Sequence, residues 1–100
     1  RVQAKAQFKE GIALFRSGRF ADSYVALCKA SDTIDSPQLW YARAVAAYQV
    51  GNQADFLAAT DRVLDAMRSG ATNYAQLCRE FEMVQGPARV AVDEAIRVAP

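Results

Sequence analysis

The stretch LFRSGRFADSYVALCKA, Leu14 to Ala30, decides the fold, because helical patterning stops at Ser17-Gly18 and resumes directly after it. A second stretch of the same kind, AAYQVGNQADFLAATDRV, runs from Ala46 to Val63 and breaks at Gly51. Gly18 and Gly51 are 33 residues apart. A glycine between two helical patterns is typical of a helix that ends in a left-handed residue. The two stretches therefore predict two similar helical hairpins.

Breaks of this kind divide the whole chain into six segments. They fall at Ser17-Gly18, Asp35-Ser36-Pro37, Gly51-Asn52, Ser69-Gly70 and Gln85-Gly86-Pro87. Between them apolar residues recur at spacings of three and four, which predicts amphipathic helices rather than strands. Ser36 before Pro37 predicts a helix start, with the hydroxyl as N-cap and proline at the first helical position. We expect an all-α protein of six helices joined by short turns, with Gly18, Gly51 and Gly86 ending helices.

Length and composition bound the class of protein. One hundred residues make one domain, and 52% hydrophobic with 23% charged residues is typical of a globular chain. The net charge of +1 argues against a nucleic-acid partner, which would favour a strongly basic face. No apolar run approaches the ~18–20 residues of a membrane span. Because the chain starts at Arg1, we expect it to be part of a longer protein. The sequence does not identify the cellular compartment, although the cytoplasm is favoured.

Residues for catalysis or metal binding are scarce. The chain has no histidine, which excludes a Ser-His-Asp triad and a Cys-His dyad. Cys28 and Cys78 form no CxxC motif and are interpreted as small hydrophobic residues, with a disulfide, a metal site or a reactive thiol as alternatives. The glycines are isolated and form no phosphate-binding loop. We therefore predict no catalytic residue, no cofactor or metal ligand, and no enzymatic activity.

Small residues repeat along the chain at one position. Gly11 aligns with Ala44 after a shift of 33 residues, and Ala44 aligns with Cys78 after a shift of 34. A small residue on a helix allows a second helix to approach closely. The pattern resembles the tetratricopeptide repeat (TPR), a helix–turn–helix unit of about 34 residues. The residues that carry the resemblance are Gly11, Leu14, Gly18, Phe20, Ser23, Leu27 and Ala30, then Trp40, Ala44, Tyr48 and Gly51, then Tyr74, Leu77 and Cys78.

The resemblance implies a right-handed α-solenoid of three TPR-like hairpins in a single domain over residues 1–100. The repeats would cover residues 4–36, 37–70 and 71–100. Two residues depart from the family pattern, Phe56 and Arg97, both at positions where a small residue is usual. An unrelated α-helical bundle is the alternative fold. In the last helix Arg89, Asp93 and Arg97 lie at four-residue spacing, which predicts an exposed charged stripe that covers the end of the stack.

In the TPR family the first helix of each repeat lines a concave groove, and the resemblance assigns groove positions here. They are Lys5, Phe8, Lys9, Ile12, Phe15 and Arg16 in the first repeat, Gln38, Tyr41, Ala42, Val45, Tyr48 and Gln49 in the second, and Thr72, Ala75, Gln76, Arg79, Glu82 and Met83 in the third. Of these we predict ten as partner-binding residues: Lys5, Phe8, Lys9, Ile12, Arg16, Gln38, Tyr41, Val45, Tyr48 and Arg79. We expect Phe8 and Tyr41, which share one position in successive repeats, to be partly exposed. The clamp with which some members hold acidic chaperone tails is missing, since its positions carry Phe8, Ile12, Ala42, Thr72 and Gln76.

These observations predict a protein–protein interaction module, or scaffold, that binds a peptide or helix of a partner protein in the groove. A self-associating structural domain and a regulatory segment of a larger enzyme are the alternatives. The sequence names neither the partner nor the pathway.

Overall fold

A computed structural model describes the backbone of residues 2–99 and the side chains of residues 3–99. These residues form six α-helices and no strand, which confirms the predicted all-α class. The helices are α1 (Val2–Arg16), α2 (Phe20–Ser31), α3 (Pro37–Gln49), α4 (Gln53–Arg68), α5 (Tyr74–Glu80) and α6 (Pro87–Val98). No helix among the described residues is long and apolar enough to cross a membrane.

The breaks read from the sequence are real helix ends. Gly18 has φ 86° and Gly51 has φ 80°, and each follows its helix in the same way. The amide of Arg19 donates to the carbonyl of Leu14 at 2.9 Å, and the amide of Asn52 donates to that of Ala47 at the same distance. These bonds close a Schellman motif, which needs a left-handed residue and therefore favours glycine. Both hairpins thus turn by one local mechanism.

Side chains cap the starts of α3, α4 and α5. Ser36 Oγ accepts a hydrogen bond from the amide of Leu39 at 3.2 Å, with Pro37 at the first helical position, as predicted. Asn52 and Asn73 cap α4 and α5 in the same manner, and neither cap was predicted. Gly86 departs from its predicted role, because it precedes Pro87 as the N-cap residue of α6 rather than ending α5.

The first hairpin packs tightly around its repeated small residue. A Cβ atom built on Gly11 would lie 2.7 Å from two side-chain carbons of Leu27, so only glycine fits there without movement. Ser23 Oγ, fully buried, donates to the carbonyl oxygen of Gly11 at 2.6 Å. Across the turn the rings of Phe15 and Phe20 meet at 5.0 Å between centroids. The α1–α2 hairpin is therefore held at both its middle and its closed end.

Helix α3 is the centre of the molecule. It pairs with α4, receives α2 on one side and α6 on another, and touches α1. Its residues Leu39, Tyr41, Ala44, Ala46 and Ala47 are fully buried. The core extends from Leu27 on α2 to Ile96 on α6. The chain is compact, with principal extents of 33 × 28 × 25 Å.

The last third of the chain differs from the first two hairpins. Helix α5 has only seven residues, and α6 packs against α3 and α4. The prediction that Arg89 lies on an exposed stripe is wrong: its side chain is buried, with 9% of the residue exposed. Its guanidinium donates to the carbonyl oxygens of Phe81, Val84 and Cys78 at 2.6, 3.2 and 3.3 Å. Arg89 thereby supplies donors to the carbonyl oxygens of Cys78 and Val84, and adds a second donor to that of Phe81, which also accepts from the amide of Val84.

Candidate functional site

An apolar cleft of about 460 Å³ lies beside α1. We call it the α1 cleft. It is lined by Lys5, Phe8, Lys9, Ile12, Gln38, Glu80, Phe81 and Met83. The lining residues come from α1, from the start of α3, and from the end of α5 with the turn that follows it. Three segments distant in the sequence therefore meet at one surface.

The floor of the α1 cleft is built from side chains that also hold the core together. Phe8 and Ile12 are one helical turn apart on α1 and are half-buried against the core cluster. Phe81 is nearly buried, and its ring lies 4.6 Å from that of Tyr41 between centroids. Met83 is different, since half of its surface is exposed. The floor is therefore anchored, while Met83 offers a flexible apolar side chain to solvent.

The rim of the α1 cleft carries opposite charges on two sides. Lys5 and Lys9 are exposed on α1, and no carboxylate of the described side chains, residues 3–99, pairs with either of them. On the α3 and α5 side of the cleft Gln38 donates its amide to both oxygens of Glu80, at 3.0 and 3.3 Å. Gln76 donates to Glu80 as well, at 3.4 Å. One rim therefore presents two ammonium groups and the other a carboxylate that amides hold in place.

Five of the ten predicted partner-binding residues come together in the α1 cleft. Lys5, Phe8, Lys9, Ile12 and Gln38 line it, and Met83 joins them. Sequence reasoning missed two lining residues. These are Phe81 and Glu80, neither of which falls on a predicted groove position.

Two predicted groove residues lie in the core instead. Tyr41 was expected to be partly exposed, and this is wrong, because its side chain is fully buried. Its hydroxyl donates to Asp93 Oδ1 of α6 at 2.5 Å, so α6 covers the position. Val45 is 1% exposed and lies beneath Ile12 and Phe81 beside a small apolar void. Neither side chain is available to a partner in this arrangement.

The remaining predicted residues lie outside the α1 cleft. Arg16 borders a neighbouring depression that also includes Met83. Tyr48 is 40% exposed and packs its ring 5.4 Å from that of Phe56. Arg79 is exposed on α5 and does not line the cleft. The surface supported by the geometry is thus smaller than the predicted groove and lies toward the first half of α1.

A second polar cluster, which shares no residue with the cleft, braces α2, α3 and α4. Asp55 accepts hydrogen bonds from the hydroxyl of Tyr24 at 2.7 Å and from Nε and Nη2 of Arg43 at 2.9 and 2.8 Å. Burial raises the pKa of Asp55, but the hydrogen bonds from Arg43 and Tyr24 and the Arg43 charge outweigh it, leaving that pKa below 3.8. Arg43 also donates to Ser31 Oγ at 2.7 Å. This cluster fixes the two hairpins relative to each other.

The two cysteines are separate free thiols, each half-buried. Burial raises the pKa of Cys28, which keeps this thiol protonated near neutral pH. Among the described residues no group of three or more Cys, Asp or Glu side chains is placed to hold a metal ion.

Comparisons of the chain with protein-family models, with curated proteins and with solved structures find no match. The functional argument therefore rests on the α1 cleft itself. Its lining offers apolar contact area, two ammonium groups, one amide and one carboxylate. Groups of this kind bury apolar side chains and pair with charges, which is the chemistry of binding.

Proposed function

We propose that the chain is a protein-interaction module that holds an apolar segment of a partner protein in the α1 cleft. The observation that carries this proposal is the half-exposed Met83 above a floor of Phe8, Ile12 and Phe81. An exposed apolar patch with a polar rim is typical of an interaction site. Methionine suits such a site because its side chain adapts to the shape of a guest.

We further infer that the helices form a right-handed solenoid of TPR-like hairpins, in which the third unit is degenerate. Two features support this arrangement: the matching turns at Gly18 and Gly51, and the close contact of Gly11 with Leu27. The cleft uses residues of α1, α3 and the end of α5, which would be the first helices of the three repeats. The short α5 and the position of α6 against α3 are departures from a regular third repeat.

The size of the cleft sets the expected strength of binding. Burying one large apolar side chain contributes about 1.5–3 kcal/mol, so two anchors would contribute about 3–6 kcal/mol. Association costs an estimated 4–15 kcal/mol in lost translational and rotational freedom. The cleft alone therefore supports a weak, exchangeable contact, and higher affinity requires charge pairing or further contacts outside it.

The test is a selection of displayed peptides on the purified protein, followed by binding to two matched variants. Met83→Asp places a charge in the α1 cleft, and Leu57→Asp places one at an equally exposed residue on α4. We expect selected peptides to carry two or more large apolar residues, to lose binding to Met83→Asp and to keep binding to Leu57→Asp. Binders that tolerate Met83→Asp would contradict the proposal. So would a dimer of the protein that Met83→Asp dissociates, because the occupant would then be a second copy.

A further inference from the structure

We propose that the guest of the α1 cleft is an amphipathic helix that presents carboxylates, one helical turn apart, to Lys5 and Lys9. This inference rests on the proposed function and adds to it the conformation and the charge of the guest.

The lining of the cleft favours a helical guest over an extended one. Phe8 and Ile12 project from α1, whose backbone groups are already paired within the helix. An extended segment would bring unpaired amide and carbonyl groups against this apolar floor, and leaving such groups buried without partners is unfavourable. A helix satisfies its own backbone and presents a stripe of apolar side chains instead. Helix-in-groove binding of this kind uses anchors at spacings of three and four.

The lysine pair sets the charge of the guest. Lys5 and Lys9 are separated by one turn of α1, about 6 Å along its axis. Like charges at this spacing repel each other, and no carboxylate of residues 3–99 forms an ion pair with either lysine. A guest helix lying along α1 with acidic residues at four-residue spacing would place one carboxylate opposite each lysine.

The carboxylate on the other rim of the cleft restricts the acidic residues of the guest helix to one of its flanks. Glu80 lines the cleft from α5, whereas the lysines line it from α1, and Glu80 is already held by the amides of Gln38 and Gln76. A second acidic flank on the guest would face this carboxylate and be repelled. The fitting guest therefore has an acidic flank toward α1 and a neutral or basic flank toward α5.

Three synthetic helices about four turns long test the proposal directly. All share a leucine stripe. The acidic probe carries glutamates at four-residue spacing on one flank and glutamines on the other, and the neutral probe carries glutamines on both. The third has the acidic composition with a central proline, which breaks the helix. Binding is measured by fluorescence anisotropy on the wild type, on Lys5→Gln/Lys9→Gln, and on the control Lys29→Gln in α2, whose lysine is equally exposed.

We expect the wild type to bind the acidic probe about two- to thirty-fold more tightly than the neutral one, since each exposed ion pair contributes a factor of roughly 1.4–5. The double variant should bind both equally, Lys29→Gln should keep the preference, and 1 M salt should reduce it. Equal binding of both probes by the wild type, or the same loss in Lys29→Gln, would overturn the charge inference and leave the proposed function standing. Equal binding of the proline probe would overturn the helical guest. Binding of no probe would overturn the proposed function as well.

Discussion

Gly11→Ala should destabilise the protein, although alanine is the better helix former. In an open helix this change would stabilise by about 0.8–1 kcal/mol. Here the new Cβ would lie 2.7 Å from both Cγ and Cδ2 of Leu27. Leu27 is only 1% exposed, so its side chain can yield only by shifting within the core, toward the small apolar void that it lines together with Val45. Overpacking of this kind costs about 1–3 kcal/mol. The difference leaves a net loss of roughly 0–2 kcal/mol, and we expect a value near the middle of that range.

The sign of the effect should reverse when the obstructing side chain is removed. In a Leu27→Ala background the clash is gone, so Gly11→Ala should stabilise by about 0.8–1 kcal/mol through helix propensity. Leu27→Ala itself should cost about 2–5 kcal/mol. The two changes should therefore show a coupling energy of about 2 kcal/mol, within the range seen for residues in contact.

Urea titrations of the four members of this cycle provide the measurement, compared at constant m-value. Ala13→Gly, at an exposed position of α1, calibrates the propensity of this helix and should cost about 0.8–1 kcal/mol. If Gly11→Ala stabilises the wild type by as much as Ala13→Gly destabilises it, then α1 and α2 do not approach closely at Gly11. The packing account of the repeated small residue would then be refuted.

Three further predictions follow from the buried contacts. Ala44→Leu, at a fully buried position, should cost about 1–3 kcal/mol and lower the melting temperature by several degrees; an unchanged melt would place Ala44 outside a helix contact. The pKa of Asp55 in the folded protein lies below the ordinary aspartate value of 3.8. The stability that this carboxylate contributes is therefore present above pH 3.8 and is lost as the pH falls through the folded pKa. The free energy of unfolding of Asp55→Asn, measured by urea titration, should therefore fall less steeply than that of the wild type between pH 5 and pH 2. An equal dependence on pH would contradict this. Arg89→Met should cost about 1–3 kcal/mol, because it leaves the carbonyl oxygens of Cys78 and Val84 without the guanidinium donor, whereas Asp93 keeps the hydroxyl of Tyr41. An unchanged free energy of unfolding in the same assay would show that the guanidinium is not buried as described.

Local signals in the sequence predicted six helices, the ends of α1 and α3 and the start of α3. A Schellman turn depends on one glycine directly after the helix, and a serine N-cap bonds only to an amide of the helix that it starts. The roles of Gly18, Gly51 and Ser36 could therefore be predicted without knowing the tertiary structure. The contact of Gly11 with Leu27 was accessible for a related reason, since a small residue repeating at one position indicates a close helix approach.

The burial of individual side chains depends on tertiary packing and could not be predicted from the sequence. Phe8 and Tyr41 share one repeat position, yet only Tyr41 is buried, because α6 packs on α3 and Asp93 accepts from the Tyr41 hydroxyl. The burial of Arg89 depends likewise on where α5 ends, which no local pattern fixed. Repeat alignment treats positions as equivalent, whereas burial depends on which helix lies next to each of them.

The same reasoning explains which part of the candidate site was predictable. The α1 side of the cleft, with Lys5, Phe8, Lys9 and Ile12, follows from one amphipathic helix and its repeat position. The α5 side depends on the non-helical turn after Glu80, which brings Phe81 and Met83 to the cleft.

The most direct test of the central claim, that the α1 cleft is the binding surface, uses the only two methionines of the chain. Met83 lines the cleft and is half-exposed, whereas Met67 lies on α4, packs against the core and lines no part of the cleft. Methyl NMR spectra of protein labelled at both methionines are recorded while the acidic leucine-striped helix is added. The account predicts a saturable shift of the Met83 methyl signal with the Met67 signal unchanged. Binding of the helix that shifts Met67 as much as Met83, or that leaves Met83 unmoved, would contradict it.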